Sequence, residues 1–522
     1  MEKTLPQPFV DQMHTLLGEQ IDAFLASYSE ERRYGLRINR LKLSAEEFRR
    51  LAPFGERLEP VPWSEDGYYY QGDADRPGKH PLYHAGLYYI QEPSAMAPVA
   101  LLDVQPGHRV LDLCAAPGGK STQIAARLQG KGLLVANDNA AERAKALAKN
   151  IERAGVRNAV VLQEEPASLA RVFHRYFDRI LVDAPCSGEG MFRKEPGMIA
   201  YWGKHDAARY AAMQDDILLH AAAMLAPGGR LVYSTCTFTP EENEHRIAAL
   251  LHSHPRLDVI PVQPDHGWQP GFADVSGGID HRLEGTVRLW PHHVQGEGHY
   301  AAVLAADLQD KQGTGSDASP PAGLGTPEQP SAPLRTSSRE LRRDRQQQAA
   351  VSGRAVRADR RRGSRKEAPD LASAEAQWQT FAEHQLTLQR PLAGRLTAYG
   401  SRLYLQPHGL PALDGLRVIR AGWYIGEAGR HRFEPSQALA LGLTAAEAAR
   451  VLDLRAEDDT VWRYLRGETL EIDREQIKGP SGADADEPKG LVLVCVAGYP
   501  LGWGRWQDGV LKNELAPGWR IV

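Results

Sequence analysis

From about residue 91 to residue 306 the chain alternates short apolar strands with helices, and this order constrains the fold more than any other feature of the sequence. Strands that are separated by helices pair in parallel through right-handed crossovers, so we predict an α/β fold with a doubly wound sheet. Segments 285–290 and 299–305 are expected to add a closing β-hairpin. The predicted strands are 109–115, 132–138, 159–164, 177–184 and 230–236, and the predicted helices begin at Ser121 or span 140–154 and 206–225.

The rest of the chain divides by composition, since 522 residues exceed what one core usually holds. Residues 1–90 predict a small α/β module that begins with an amphipathic helix at about 8–28, before the α/β region at 91–306. Residues 307–370 are rich in Ser, Pro, Gly, Gln and Arg and almost free of aromatic residues, so we predict a disordered linker. Residues 371–522 show short strands and turns that indicate a β-rich domain.

Charge is distributed unevenly along the chain. The formal net charge of −4 gives no overall nucleic-acid signal, so any RNA binding is expected from local patches. Between Arg335 and Lys366 the predicted linker carries 12 basic residues and three acidic ones. A cationic tether of this kind suits a polyanion, and a solvated linker without a partner is the alternative.

The composition also restricts the cellular setting. No segment is long and apolar enough to span a membrane, and the N-terminus lacks the apolar core of a signal peptide, so we expect a cytoplasmic protein without membrane contact. Four scattered cysteines fit a reducing compartment and free thiols. Because no pair has CxxC spacing and no helix carries a zinc-type histidine pattern, we expect no metal site.

Two cysteines follow strongly apolar strands. Cys186 lies in Asp183–Gly188 and Cys236 follows Leu231–Thr235. The carboxyl ends of parallel strands line the ligand crevice of such sheets, so each thiol is a candidate nucleophile. Two thiols together suggest a thioether intermediate that a second group resolves. The alternative is that each is a small buried apolar residue, which is how we interpret Cys495.

A glycine turn follows the first strand of the α/β region and begins a helix. It matches neither GxGxxG nor GxxxxGK[ST], which argues against a dinucleotide and a nucleoside triphosphate. The second strand ends at Asp138, whose carboxylate can accept both hydroxyls of a ribose. A ribose acceptor beside a helix N-terminus that favours a carboxylate predicts S-adenosylmethionine as the cofactor. The strand end and turn comprise Cys114, Ala115, Ala116, Pro117, Gly118, Gly119 and Lys120, of which the two glycines let the backbone come close to a ligand.

At these residues the chain resembles the Nol/Nop/Sun family of RNA cytosine carbon-5 methyltransferases. The resemblance rests on five segments, which are Gln91–Ala95, Asp112–Lys120, Asp183–Gly188, Ser234–Thr237 and Pro240–Glu244. Asp183–Lys194 and Gly498–Gly504 further resemble the RsmF-type branch, which acts on small-subunit (16S) ribosomal RNA. The resemblance covers nearly all of the chain except the linker. It implies a Rossmann-like methyltransferase core, an N-terminal RNA-binding module and a PUA-like RNA-binding C-terminal domain.

The resemblance also implies roles for individual residues. Cys236 is the implied nucleophile and Cys186 the residue that helps to release the product, while Asp183 contacts the cytosine edge close to the transferring methyl group. Residues 114–120 wrap the methionine part of the cofactor, and Asp138 holds the ribose with support from Arg143. Glu165 stands where the family often has an Asp near the adenine. Glu241, Glu242 and Glu244 are interpreted instead as a helix N-terminal acid cluster.

The implied reaction sets requirements for the site. Carbon 5 of cytosine becomes nucleophilic once a thiolate has added to carbon 6, so the thiolate of Cys236 needs stabilisation, to which Lys120 is a candidate contributor. Burial is expected to keep Asp183 protonated, as a hydrogen-bond donor to the ring. The target base must be single-stranded or flipped out of its helix. Three tryptophans of the C-terminal domain are candidates for base stacking or for packing, namely Trp503, Trp506 and Trp519.

Several alternatives for the function stay open. The same chemistry on transfer RNA uses the same motifs. An RNA-binding ribosome assembly factor, in which methylation is incidental, is a candidate from a different class of protein. A small-molecule methyltransferase is disfavoured because it needs neither a basic linker nor terminal domains. The expected partner is ribosomal RNA or the small ribosomal subunit, bound by a monomer.

Overall fold

An antiparallel sheet of four strands forms the N-terminal module in the computed structural model, which describes residues 5–200, 202, 207–275, 278–307, 371–389, 391–479, 485 and 489–521. The predicted linker and its basic stretch from Arg335 to Lys366 lie outside the described residues. The strand order is β2-β3-β1-β4. The strands are β1 (Tyr34–Ile38), β2 (Glu59–Pro60), β3 (Gly67–Tyr70) and β4 (Tyr88–Ile90). Helices Gln7–Leu17, Ile21–Ser27 and Ala45–Leu51 accompany them.

The predicted N-terminal helix is divided in two. A short 3-10 turn, Gly18–Gln20, separates Gln7–Leu17 from Ile21–Ser27. The backbone of Gly18 has a φ of +52°, a conformation that glycine adopts at little cost, and the first helix ends there. The apolar periodicity of the sequence continues across this break, which is why a single helix was predicted. Both helices bury apolar side chains in one cluster, which includes Phe9 and Phe24.

A mixed sheet of ten strands forms the centre of the described unit, and its five parallel strands confirm the predicted α/β fold. Their order is β9-β8-β5-β6-β7. The strands are buried on both sides, which explains why their sequences are continuous apolar runs and not alternating ones. The bounds are β5 (Arg109–Asp112), β6 (Leu133–Asn137), β7 (Ala159–Leu162), β8 (Phe177–Asp183) and β9 (Leu225–Thr235).

Helices connect these strands. In Ala141–Arg153 the residues at spacings of three and four are buried, among them Ala144, Leu147 and Ile151, which is the stripe expected of a helix packed on a sheet. The other helices of this region are Ala97–Leu102, Gly119–Leu128, Pro166–Val172, Ala207–Met224 and Glu244–Ser253.

Antiparallel strands extend the sheet beyond β9, and they confirm the predicted hairpin. The additional strands are β10 (Leu257–Val259), β11 (Gln269–Pro270), β14 (Val287–Leu289) and β15 (His299–Ala306), while β12 (Asp274–Val275) and β13 (Gly278–Ile279) pair separately. The hairpin is formed by β14 and β15, and β15 pairs with β9 from Tyr300 opposite Thr235 to Ala305 opposite Arg230.

The C-terminal part forms two sheets and contributes one strand to the central sheet. The first sheet has the order β16-β17-β19-β20 and packs against helix Leu371–Gln385, and the second has the order β22-β26-β25-β24-β21-β23. The contributed strand, β18, pairs antiparallel with β7. The strands are β16 (Arg395–Tyr399), β17 (Arg402–Gln406), β18 (Val418–Arg420), β19 (Trp423–Ala428), β20 (Phe433–Pro435), β21 (Val451–Leu454), β22 (Leu470–Glu471), β23 (Ile477–Lys478), β24 (Gly490–Val496), β25 (Tyr499–Gln507) and β26 (Val510–Asn513).

The tryptophans of the second C-terminal sheet pack inward. Trp503 and Trp506 are buried, and their indole N–H groups donate to the carbonyl oxygens of Ser436 and Ile472 at 2.9 and 2.8 Å. Of the two uses considered for these rings, base stacking and packing, the structure shows packing for both. Trp519 is half-buried, with the Lys149 ammonium 5.3 Å from its ring centroid. None of the helices in the described ranges is long and apolar enough to cross a membrane.

Candidate active site at the carboxyl end of the sheet

The two candidate cysteines meet at the end of neighbouring parallel strands. Asp183 ends β8 and pairs with Ser234 near the end of β9, so the loops that follow both strands leave the same edge of the sheet. Cys186 and Cys236 lie on these two loops with their Sγ atoms 3.5 Å apart. Both are free thiols that are partly covered.

Asp183 stands beside these thiols in a strongly polar setting. Its Oδ2 accepts a hydrogen bond from Lys120 Nζ at 2.7 Å, and its Oδ1 accepts one from Ser234 Oγ at 2.8 Å. His299 Nε2 lies 3.5 Å from the same Oδ1. Burial alone would raise the pKa of Asp183, but Lys120 and His299 outweigh burial and hold that pKa below its ordinary value. The prediction of a protonated Asp183 is therefore wrong, and the carboxylate is ionised.

Lys120 is committed to this carboxylate. Burial lowers the pKa of a lysine, but the charge of Asp183 and the hydrogen bond to it more than compensate, and the net pKa of Lys120 is raised. Lys120 was expected to stabilise the Cys236 thiolate, but its direct hydrogen-bond partner is Asp183. Its positive charge reaches Cys236 only as a second neighbour, since Cys236 also contributes to the raised pKa of Lys120.

The two thiols differ in their surroundings. The hydrogen bond with Cys236 and burial raise the pKa of Cys186. A thiol with a raised pKa keeps its proton, and a protonated thiol is a poor nucleophile. Cys186 Sγ lies within hydrogen-bond reach of Cys236 Sγ, and either thiol can be the donor of that bond. Cys114 in the glycine turn is likewise a thiol, because burial raises its pKa.

Two buried carboxylates that the sequence interpretation missed hold the cysteine loops. Glu242 Oε2 accepts from the backbone N–H of Ser187 at 3.1 Å and from Gln214 Nε2 at 2.9 Å. Glu189 accepts from the Phe238 N–H at 3.0 Å and from the Thr237 hydroxyl at 3.1 Å. Glu242 thus connects the loop of Cys186 to the helix that carries Gln214. Glu189 binds the residues that directly follow Cys236. Burial raises the pKa of both groups.

The interpretation of the acidic run as a helix N-terminal cluster is only partly right. Glu241 is exposed, but Glu242 and Glu244 are fully buried. Glu244 accepts two hydrogen bonds from the buried guanidinium of Arg288, at 2.7 and 2.5 Å. The position of the run before a helix was a visible signal, but the sequence does not show which of the three side chains point into the protein.

The glycine turn offers a backbone cradle next to Asp183. Gly118 has a φ of +111°, and a Cβ on Gly119 would lie 3.0 Å from the Tyr89 ring. No side chain caps the helix Gly119–Leu128 that begins here, so its first N–H groups are available to a ligand carboxylate. Below the turn, Asp112 accepts from Ser121 Oγ at 2.6 Å, while its buried Oδ1 has no partner among the described residues. Burial raises the pKa of Asp112 to about 7.

Asp138 and Arg143 stand at the other end of this cradle. The Asp138 carboxylate accepts from the Ala140 N–H at 3.0 Å and lies 3.2 Å from Arg143 Nη2. The same nitrogen of Arg143 donates to the Ala116 carbonyl at 3.0 Å, so Arg143 joins the acidic residue to the turn. Glu165 is exposed and accepts from Asn139 Nδ2 at 3.3 Å, one residue beyond Asp138. S-adenosylmethionine fits this arrangement. Its carboxylate could meet the uncapped helix start at the glycine turn, and its ribose could meet the carboxylate of Asp138.

The C-terminal part reaches this end of the site, which the sequence interpretation did not foresee. The backbone N–H of Arg417, just before β18, donates to Glu164 Oε1 at 2.6 Å, and the Gln163 N–H donates to the Arg417 carbonyl at 3.0 Å. Asn137 at the end of β6 donates to the carbonyls of Leu113 and Glu164 at 3.2 and 2.9 Å. The loops after three neighbouring strands are thus tied to one another.

Four family models match the chain in order. Residues 5–93 match the N-terminal domain of 16S rRNA methyltransferase RsmF, and residues 99–305 match the model for 16S rRNA methyltransferase RsmB/F. Residues 380–443 match the first C-terminal domain of RsmF rRNA methyltransferase, and residues 451–521 match the PUA domain of methyltransferase RsmF. The two C-terminal matches correspond to the two C-terminal sheets.

Individual relatives agree with the family models. The chain is 38% identical over 309 residues to a ribosomal RNA small subunit methyltransferase F of Escherichia fergusonii, covering 57% of this chain and 63% of the relative. It is 42% identical over 252 residues to the protein of the same name in Pectobacterium carotovorum, covering 46% and 51%. The alignments therefore span less than two thirds of these relatives. A methyltransferase homolog from Pyrococcus horikoshii has a similar structure, with a TM-score of 0.50, 26% identity and coverage of 58% of this chain and 96% of the other.

Proposed function

Since the chain belongs to the RsmB/F family of 16S rRNA methyltransferases, we propose that it methylates carbon 5 of a cytosine in small-subunit ribosomal RNA. The observation that supports this chemistry best is the pair of thiols 3.5 Å apart beside an ionised aspartate. Methylation at a nitrogen or an oxygen needs no covalent attachment of the base, whereas carbon 5 of cytosine needs a nucleophile at carbon 6. S-adenosylmethionine, bound at residues 114–120 and Asp138, supplies the methyl group.

The two cysteines take different roles in this proposal. The Cys236 Sγ forms a bond to carbon 6, and the electron pair of the carbon 5–carbon 6 double bond becomes available for the new bond at carbon 5. After the methyl transfer, the proton on carbon 5 passes to solvent, the electron pair of that carbon–hydrogen bond re-forms the carbon 5–carbon 6 double bond, and Cys236 leaves carbon 6 as a thiolate. Cys186 is not the attacking thiol in this proposal, and its contact with Cys236 Sγ supports a role in the release step.

Asp183 contacts the target base in this proposal. An ionised carboxylate accepts hydrogen bonds only, and the amino group on carbon 4 of cytosine is a donor. Lys120 keeps the carboxylate ionised and fixes one of its oxygens. Asp183 therefore orients cytosine through its amino group.

The N-terminal module and the PUA domain bind the RNA on either side of the target base in this proposal. The target base has to be unstacked before Cys236 can reach carbon 6, so flanking RNA must be held while the base enters the site. The PUA domain at 451–521 and the N-terminal module at 5–93 are the proposed holders. A ribosomal RNA substrate in bacteria, from which the curated relatives come, implies a cytoplasmic enzyme.

The test is methylation of unmodified small ribosomal subunits with labelled S-adenosylmethionine, followed by mapping of the modified base. The wild type is expected to place 5-methylcytosine in the small-subunit RNA. Cys236→Ala is expected to lose at least about 10³-fold in rate, because the nucleophile is gone. Cys186→Ala is expected to accumulate a covalent protein–RNA adduct that denaturing gels display.

The control is Cys495→Ala, which removes a buried thiol far from the site and should methylate like the wild type. Full activity of Cys236→Ala would overturn the mechanism. A wild type that ignores subunits and their RNA but methylates transfer RNA would overturn the substrate. Normal subunit assembly with Cys236→Ala, in cells that need this protein for assembly, would favour an assembly factor.

A further inference from the structure

His299 is placed against both Asp183 and Cys236 by the order of the strands. It is the first residue of β15, and its neighbour Tyr300 pairs with Thr235 of β9. His299 thus lies at the end of β15 that adjoins the loop carrying Cys236. The thiol loop after β9 is therefore flanked by Asp183 of β8 on one side and by His299 of β15 on the other.

The imidazole of His299 has an unused nitrogen in the site. Its side chain is only 4% exposed, and Nε2 is buried without a hydrogen-bond partner among the described residues. Asp183 Oδ1, which already accepts from Ser234, lies 3.5 Å from this nitrogen. A buried polar nitrogen without a partner is unfavourable, so a partner supplied by a ligand would be stabilising. Because Nε2 faces a carboxylate, it is the nitrogen expected to carry a proton.

The two groups together offer one acceptor and one donor. Asp183 is ionised and accepts, while His299 Nε2–H donates, and the two atoms lie 3.5 Å apart. Cytosine presents the complementary pair on adjacent positions, with an amino donor on carbon 4 and an acceptor at nitrogen 3. Uracil presents an acceptor at oxygen 4 and a donor at nitrogen 3, which opposes both protein groups. Lys120 donates to the other oxygen of this carboxylate, Asp183 Oδ2, and not to Oδ1 beside His299.

We propose that His299 contacts the target base by donating a hydrogen bond from Nε2 to nitrogen 3 of cytosine, beside Asp183, and so selects cytosine over uracil. The proposal rests on the proposed function. When Cys236 adds to carbon 6, electron density moves through carbon 5 and carbon 4 onto nitrogen 3. A donor already in place at nitrogen 3 stabilises that charge and accelerates the addition. His299 is in this sense a catalytic residue of the first step.

The experiment measures the rate of adduct formation in a single turnover, with every variant built in the Cys186→Ala background so that the adduct persists. His299→Phe keeps an aromatic ring and removes the donor, and it should slow adduct formation about 10²-fold. His299→Gln keeps an N–H donor and should recover at least about tenfold of that loss. RNA binding and thermal unfolding of both variants are measured alongside. His281→Phe, at an exposed histidine away from the site, should match the parent.

The outcomes separate this proposal from the proposed function. Adduct formation as fast in His299→Phe as in the parent overturns the role of His299 while leaving the methylation of cytosine intact. Equal loss in the Gln and Phe variants, with unchanged unfolding, overturns donation by Nε2. A parent that forms no adduct with small-subunit RNA overturns the proposed function first. Support consists of the slow Phe variant, the recovery in Gln and unchanged RNA affinity.

Discussion

Asp183 is held by neighbours from three different elements. Lys120 comes from the helix after β5, Ser234 from β9 and His299 from β15. A carboxylate with a lowered pKa contributes stability above its unfolded pKa, and the contribution is lost as the pH falls through the folded pKa. Within the usual assay range Asp183 is thus negatively charged, which agrees with its proposed role as a hydrogen-bond acceptor for the target base.

Removal of Lys120 should change how the rate depends on pH. In Lys120→Met the burial of Asp183 is opposed by Ser234 and His299 without the charge of the lysine, so the pKa of Asp183 rises and the carboxylate takes up a proton at higher pH than in the wild type. We expect the acidic limb of the single-turnover rate to move to higher pH, with a loss of about 10²-fold at neutral pH. Rates measured from pH 5 to pH 9 check this.

Lys145→Met serves as the control, because Lys145 forms only an exposed pair with Glu142. Its pH profile should overlay that of the wild type. If the acidic limb of Lys120→Met also overlays that of the wild type, Lys120 does not keep Asp183 ionised.

At the scale of elements, β18 is the strand that ties the C-terminal part to the cofactor side of the sheet. The contact is made by backbone and by a buried acid, since the Arg417 N–H donates to Glu164 Oε1. The Arg417 side chain itself is 68% exposed. The backbone of this residue therefore matters more than its charge.

Arg417→Pro should weaken cofactor binding. Proline removes the N–H that reaches Glu164 and leaves a buried carboxylate oxygen with a poorer partner. Because Glu164 is joined through Asn137 to the loop after β5, we expect the dissociation constant for S-adenosylmethionine to rise about tenfold. Isothermal titration calorimetry measures it. Arg417→Ala retains the N–H and should bind as the wild type does, and equal weakening in both variants would contradict the argument.

Much of the fold and of the site could be predicted from the sequence, for physical reasons that are local. Apolar runs between helices indicate parallel strands, and the hairpin and the placement of Cys186 and Cys236 at strand ends follow from the same pattern. The ionisation of Asp183 could not be predicted, because it depends on Lys120 and His299 from other elements. The three-residue strand β18 and the inward orientation of Glu242 also depend on tertiary contacts that no local pattern reveals.

At the scale of the whole molecule, the N-terminal module and the second C-terminal sheet share one apolar core. Leu36 and Phe48 of the module belong to the same buried cluster as Val494 and Trp506 of the C-terminal sheet. The charged residues of helix Ala141–Arg153 add contacts, as Lys149 Nζ donates to the Gly518 carbonyl at 2.6 Å. The first and last domains are therefore parts of one folding unit and not appended modules.

Trp506→Ala should loosen both ends of the chain. The substitution empties a large part of the shared core and is expected to cost about 3–5 kcal/mol in the free energy of unfolding. Hydrogen exchange should then quicken in β1 as well as in β25 and β26. Trp519→Ala, at a half-buried ring that stacks with a lysine, should cost about 1 kcal/mol and serves as the control. Faster exchange confined to the C-terminal sheet would contradict a shared folding unit.

The position of β18 has a consequence for how the protein is made. The ribosome releases β7 long before it releases Val418–Arg420, so the nascent chain emerges with one edge of its central sheet uncovered. An uncovered edge strand readily pairs with a foreign strand. A chain whose synthesis stops early keeps that exposed edge and lacks the backbone bond to Glu164. Synthesis of β18 thus covers this edge of the sheet and supplies the backbone bond to Glu164 at the same step.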